Sequence, residues 1–252
     1  MTHHNVGVHR GAVLLSGGID SATVAYIAAQ QCHSLVAITA SYGQKHQEAE
    51  INAAIEVAKE LQVEDHILIN MPDIFTGAGS ALMGEQDMPE KTYEELQEAE
   101  GPSPTVVPFR NANLISMATS VAISHGADCL YVGMHATDGH NFAYPDCTPE
   151  FLGSMANAVF VGSYYAVRLF FPLIWMTKTD VVRTALELKV PVHKTYSCYM
   201  GGSKHCSTCP TCVERINAFK ANNVIDPVLY DMTGMDWEDC AIWEQLPFAY
   251  FV

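Results

Sequence analysis

Apolar runs of strand length and apolar repeats of helical period alternate along the first half of the chain. Residues 11–15 form a short apolar run ending in Ser16-Gly17-Gly18, the pattern of a strand buried on both faces. From residue 20 to 32 the apolar side chains Val24, Ile27, Ala28 and Cys32 recur at helical spacing, with Asp20 and Ser21 available to cap. Residues 35–42 read as a second strand and 66–69 as a third. Between them, residues 44–61 place Ile51, Ala54, Ile55 and Ala58 on one helical face. Strand, helix, strand, helix, strand predicts an α/β fold, a parallel sheet with helices on both faces. Further helices are predicted over 111–125, 150–165 and 179–188, the last stopped by Pro191, and further strands over 129–133 and 168–171.

Residues 71–108 break the alternation. Glu85, Asp87, Glu90, Glu94, Glu95, Glu98 and Glu100 stand there against Lys91, followed by Pro102, Pro104 and Pro108. Two readings stay open: a solvated loop with a short acidic helix, or a mobile lid over a site. After Thr195 the chain turns Cys- and Gly-rich, then helical over 212–221. The expected division is an α/β domain over 1–195, with the acidic loop at 71–108, and a small metal-stapled appendage over 196–252.

Composition narrows the function. Of 252 residues 49% are apolar and 16% charged, so a large core can form and global disorder is excluded. Lys and Arg number 13 against 28 Asp and Glu, a net charge of −15 that disfavours a broad nucleic-acid surface. The most apolar stretch, 158–176, is interrupted by Arg168 and Pro172, and the N-terminus lacks a signal-peptide pattern. A soluble, cytoplasmic protein with no membrane partner is expected.

The loop Leu15-Ser16-Gly17-Gly18-Ile19-Asp20-Ser21 joins a predicted strand to a predicted helix. Its glycines let backbone approach a ligand, and the helix start with two serine hydroxyls makes an anion site. It lacks the Gly-Lys-Ser/Thr of a Walker loop and the spaced glycines of a dinucleotide fingerprint. It resembles the PP-loop of the adenine-nucleotide α-hydrolase superfamily, Ser-Gly-Gly-x-Asp-Ser. The resemblance implies ATP with Mg²⁺, cleavage between the α- and β-phosphates, and transfer of AMP to an acid or amide oxygen. It implies nucleotide contacts from Leu15, Ser16, Gly17, Gly18, Ile19, Asp20, Ser21, Ala22 and Thr23, with Tyr42 and Gly43. On this reading Gly17→Val blocks the approach of backbone to phosphate.

Eight cysteines are present, and Cys198, Cys206, Cys209 and Cys212 cluster. Two-residue spacers present neighbouring thiolates to one ion, and four thiolates suit a closed, structural Zn²⁺ site. Core cysteines, a redox pair and an iron–sulfur cluster are the competing readings.

His46, Arg110, Asp138 and Asp146 fall at predicted strand ends or helix starts, where they could converge on one crevice. The motif order resembles the 7-cyano-7-deazaguanine synthase (QueC) family. The matching pieces are the PP-loop, Tyr42-Gly43-Gln44, Val107-Pro108-Phe109-Arg110-Asn111, Tyr144-Pro145-Asp146-Cys147, Pro172-Leu173 with Lys178, and Cys198, Gly201-Gly202, His205-Cys206, Cys209, Cys212 and Arg215. They extend over residues 11–230. The resemblance implies ATP-dependent conversion of 7-carboxy-7-deazaguanine and ammonia to the nitrile preQ0 through an adenylated acid and an amide. It implies a homodimer with one zinc per chain, catalytic roles for Asp20, Lys178, Arg110 and Asp138, and a deazaguanine pocket from His46, Arg110, Asn111, Asp138, Tyr144 and Asp146.

Three features depart from the family. Phe109 stands where Gly is usual, which predicts a narrower pocket or a displaced turn. Extra residues lie between Gly139 and Ala143. The tail over 231–252 has no counterpart. Two alternatives follow: a QueC-like ligase joining the acyl group to a protein amine in a defence system, and a PP-loop tRNA thiolation enzyme.

Overall fold

The computed structural model describes residues 9–231 apart from 72, 90, 100, 101 and 229. Of the appendage expected over 196–252, residues 232–252, nearly all of the tail, lie outside the described residues. In chain order β1 (Arg10–Leu14), α1 (Ile19–Gln31), β2 (Ser34–Ser41), α2 (Gln47–Leu61) and β3 (Asp65–Asn70) come first. The long connection contains α3 (Tyr93–Glu98). Then follow α4 (Arg110–Ser124), β4 (Cys129–Tyr131), the one-turn α5 (Ala136–Gly139), α6 (Pro149–Gly162), β5 (Arg168–Phe170), α7 (Lys178–Glu187) and α8 (Pro210–Ala221).

The strands lie in the order β3-β2-β1-β4-β5, all paired in parallel. Side chains alternate along each strand, and this decides which helices they meet. Val13, Ala37 and Tyr131 pack with residues of α1, α2, α7 and α8, among them Val24, Val57, Val181 and Phe219. Ala12, Val36, Ile38 and Leu130 face the other way, onto Ile115 of α4 and Leu152 of α6. The expected helices on both faces of a parallel sheet are what forms, and apolar strands result because neither face meets water. Ala218 and Phe219 share the first of these cores, so α8, inside the segment expected as an appendage, is packed into the α/β layers.

Boundaries moved where side chains or backbone found local partners. Helix α2 starts at Gln47, because the Gln44 side chain accepts the Tyr42 N–H at 3.0 Å instead of continuing the helix. Helix α6 ends at Gly162, since Tyr164 and Tyr165 turn left-handed with φ of 56° and 66°. In the acidic connection Thr92 and Glu95 form a capping box on α3, with Glu95 and Glu98 exposed. Phe75, Leu82 and Val107 tie the connection to Tyr42.

β1 is flanked by β2 and β4, and the chain leaves these strands in opposite directions. That switch opens a crevice above the carboxyl ends of the strands, where α/β sheets receive ligands. Among the described residues, no helix is long and apolar enough to cross a membrane.

Candidate active site

The loop after β1 forms one wall of the crevice. Gly18 is the N-cap of α1 and has no side chain to cap the first turn; its own N–H donates to Ser16 Oγ at 3.4 Å. Ser21 Oγ donates to the Gly18 carbonyl at 3.0 Å and accepts the Ser16 N–H at 3.1 Å. The hydroxyls thus brace the loop, and the helix start is left for an anion.

The two glycines do different work. Gly17 has φ +87°, and a Cβ there would lie 2.5 Å from the Glu50 carbonyl oxygen and 2.7 Å from the Ala54 nitrogen on α2. This corrects the reading of Gly17→Val: the added group strikes α2, not phosphate. At Gly18 a Cβ would meet only Ser16 Oγ at 3.5 Å and the Tyr196 carbonyl at 3.6 Å. Thermal unfolding should therefore show Gly17→Val destabilised by about 3 kcal/mol or more, through a forced left-handed Val and a backbone clash. Gly18→Ala should unfold within a few degrees of the parent yet bind ATP more weakly in a titration. The opposite order of effects would reverse the assignment.

At one end of the cavity Lys178, the first residue of α7, donates to both carboxylate oxygens of Asp20 at 2.8 and 2.7 Å. Glu214 Oε2 stands 3.7 Å from the same ammonium. His135, on the segment after β4, places Nε2 3.8 Å from Asp20 and 3.6 Å from Asp138. Burial raises the Asp20 carboxyl, but the charges of Lys178 and His135 outweigh it and hold it below its ordinary value. Burial opposes the Lys178 charge, yet Asp20 and Glu214 keep it protonated far above the usual range. Glu214 goes the other way: burial pushes it up, and Lys178 offsets this only in part.

A second cluster on the cavity wall is built around Arg110, first residue of α4, which donates to the Tyr42 hydroxyl at 3.2 Å. His46 and Glu50, from the start of α2, line the wall with it, and the Arg110 charge acts on Glu50.

The expected residues divide. Leu15, Ser16, Gly18, Asp20, Ser21, Tyr42, His46, Arg110, Asn111, Asp138 and Lys178 line this single cavity. Ile19, Ala22 and Thr23 are buried in the core face of α1, and Gly17 and Gly43 also stand back from the cavity. Asp146 Oδ2 accepts the Asn111 N–H at 2.9 Å, so its carboxylate caps α4. The Tyr144 hydroxyl bonds those of Ser103 and Thr105, behind the wall. Cys147 does reach the cavity, held by Asn111 Nδ2 at 3.3 Å, and burial keeps its thiol protonated well above its usual range.

Sequence reasoning missed Glu50, His135 and Glu214. A weak signal existed for Glu50, which lies one helical turn after His46. None existed for Glu214, whose direction depends on how α8 is docked.

The four cysteines converge: their Sγ atoms all lie within 4.8 Å of one another. Cys198 Sγ accepts the N–H groups of Met200 and Cys206 at 3.4 and 3.3 Å, and Cys206 Sγ accepts that of Cys209 at 3.2 Å. Backbone N–H donors aimed at sulfur stabilise thiolates, so the donor set fits a four-thiolate zinc site. Gly201 and Gly202, with φ of 78° and 95°, make the turn that returns the chain to Cys206. Arg215 fixes the adjoining helix. It donates to Asp226 through Nε at 2.6 Å and Nη2 at 3.0 Å, and its other bonds reach Thr195, Ser197 and the Val192 carbonyl. This segment supplies Tyr196, Ser197, Tyr199, Thr211 and Glu214 to the cavity wall.

Residues 10–223 match the family described as queuosine biosynthesis protein QueC. The chain belongs to the QueC family. A 7-cyano-7-deazaguanine synthase of Archaeoglobus fulgidus is 38% identical over 241 residues, 94% of this chain and 96% of that one. One from Caldicellulosiruptor bescii is 39% identical over 229 residues, 90% of this chain and all of the other. One from Aquifex aeolicus is 38% identical over 215 residues, 82% of this chain and 95% of that one.

Within this QueC-family site the two central departures fall outside the cavity. Phe109 adopts φ +55°, the left-handed conformation that favours Gly, and its ring is 66% exposed, edge-on to Phe151 at 6.1 Å. Neither the narrowed pocket nor the displaced turn follows. The extra residues after Asp138 form a turn with His140 and Asn141 exposed, closed by the Tyr144 N–H on the Asp138 carbonyl at 3.2 Å.

Proposed function

We propose that this protein is a 7-cyano-7-deazaguanine synthase. It uses ATP to activate the carboxylate of 7-carboxy-7-deazaguanine as an acyl adenylate, releasing pyrophosphate. Ammonia displaces AMP to give the amide. A second adenylation of the amide oxygen, followed by loss of AMP and a proton from nitrogen, gives the nitrile.

The observation that carries the reading is the QueC match over residues 10–223 joined to one cavity that holds both the PP-loop and the Lys178–Asp20 pair. The loop from Ser16 to Ser21 binds the phosphates. Lys178 neutralises charge gathering on the departing pyrophosphate, and Asp20 orients it. Asp20 and Asp138 are the carboxylates that would receive Mg²⁺ with ATP, and Arg110 balances charge at the acyl end. Cys198, Cys206, Cys209 and Cys212 hold a structural zinc, which when bound fixes the wall carrying Tyr199 and Glu214. The working form is a cytoplasmic homodimer, and exposed Tyr164 and Trp175, 94% and 79% open, offer apolar surface for a second copy. With Phe109 and the 139–143 turn outside the cavity, ammonia is favoured over a protein amine as acceptor.

The test is to supply the acid, ATP and ammonium and follow products by mass. Nitrile should accumulate with AMP and pyrophosphate. Formation of ADP, or an adenylated acid that ammonium never converts, would overturn the reading.

A further inference from the structure

The cavity wall carries a second carboxylate, Glu50, outside the cluster of Lys178, Asp20 and Glu214. Glu50 Oε2 accepts from Gln44 Nε2 at 2.9 Å, and its Oε1 stands 3.5 Å from His46 Nε2. A carboxylate offers about four lone-pair directions, so these two neighbours leave room for further donors. The side chain keeps 20% of its surface open where it lines the cavity. Burial opposes its charge, but His46, Gln44 and Arg110 prevail and hold it ionised below the ordinary range. It therefore accepts hydrogen bonds and donates none.

Its surroundings narrow the ligand. The Arg110 guanidinium lines the same cavity and its charge acts on Glu50, and the His46 and Tyr199 rings, 5.6 Å apart, add aromatic surface. A phosphate would be repelled by Glu50. An adenine edge presents a ring-nitrogen acceptor beside its amino group, which a carboxylate also repels. A 2-amino-oxopyrimidine edge presents two adjacent N–H donors and, beside them, a carbonyl acceptor. That matches an anionic acceptor next to a guanidinium.

We infer that Glu50 is a specificity-determining residue that reads the ring N–H and 2-amino donors of the deazaguanine, with Arg110 on its carbonyl. The inference rests on the synthase reading above and adds a residue to it.

The experiment compares the full-length protein on 7-carboxy-7-deazaguanine and on the same acid lacking its 2-amino group. The wild type should prefer the parent by about 10- to 100-fold in kcat/KM, the range of one hydrogen bond to a charged group. In Glu50→Gln the preference should collapse to within about threefold, while KM for ATP stays within about twofold. An unchanged preference in the variant overturns the inference. So does a raised KM for ATP with the acid unaffected, which would put Glu50 at the nucleotide. Should Glu50→Gln fail to bind ATP at all, Glu50→Asp gives the reading. It keeps the charge but withdraws it by one carbon, so the preference should fall, and a preserved one overturns the inference. Wild type that makes nitrile without discriminating defeats this inference alone; wild type that makes none defeats the synthase reading as well.

Discussion

Lys178→Met is expected to slow nitrile formation by about 10²- to 10³-fold, the size of effect seen when one preorganised charge-stabilising group is lost. The ammonium sits between Asp20 and Glu214, so its loss also leaves negative charge there uncompensated. Breaking a buried pair costs about 3 kcal/mol, and the lower end applies because Asp20 keeps 26% of its side chain open. The pH response should weaken. In the parent the Asp20 pKa is depressed, so its contribution is present above the unfolded value and is lost as pH falls through the folded one. In the variant the Lys178 charge and hydrogen bond are gone and only the weaker pull of His135 and Arg215 opposes burial, so the stability lost on acidification should be smaller than in the parent. Steady-state kinetics and unfolding curves across the carboxylate range check both parts. A variant with parental kcat would remove Lys178 from the reaction.

Stripping the metal with a chelator, or Cys209→Ser, is expected to abolish folding of the C-terminal segment and ATP binding in one event. Structural zinc contributes on the order of 10 kcal/mol to folding in small sites, comparable with the whole stability of a domain. Activity as a secondary casualty of instability, the simple expectation for a closed thiolate site, understates the coupling. Tyr199, Thr211 and Glu214 stand in the cavity wall, on the same stretch of chain as the cysteines. Zinc release, circular dichroism and ATP titration should therefore change together. ATP binding that survived complete zinc removal would show that the wall holds without the metal.

The sequence by itself determined whatever depends on a few neighbouring residues. Continuous apolar runs of strand length and repeats of period 3.6 specified the layers, because a strand covered on both faces is apolar throughout and a helix's apolar face follows from backbone geometry alone. Ser16-Gly17-Gly18-Ile19-Asp20-Ser21 announced an anion loop, since turn, helix start and hydroxyls all lie within it. Four cysteines with short spacers announced their convergence for the same reason.

The tertiary structure decided which polar side chains enter the cavity. Asp146 and Tyr144 looked like pocket residues, but the arrival of α4 and of the Ser103–Thr105 segment captured them as partners. Phe109 looked intrusive, but its left-handed backbone turns the ring to solvent. Glu50 and Glu214 read as ordinary helix-surface acids. They line the site because the PP-loop packs on α2 through Gly17 and because Arg215, bonded to Asp226, fixes the rotation of α8. Those contacts join residues far apart in the chain. The rotation of a helix about its axis is set by such packing, and a local pattern holds no record of it.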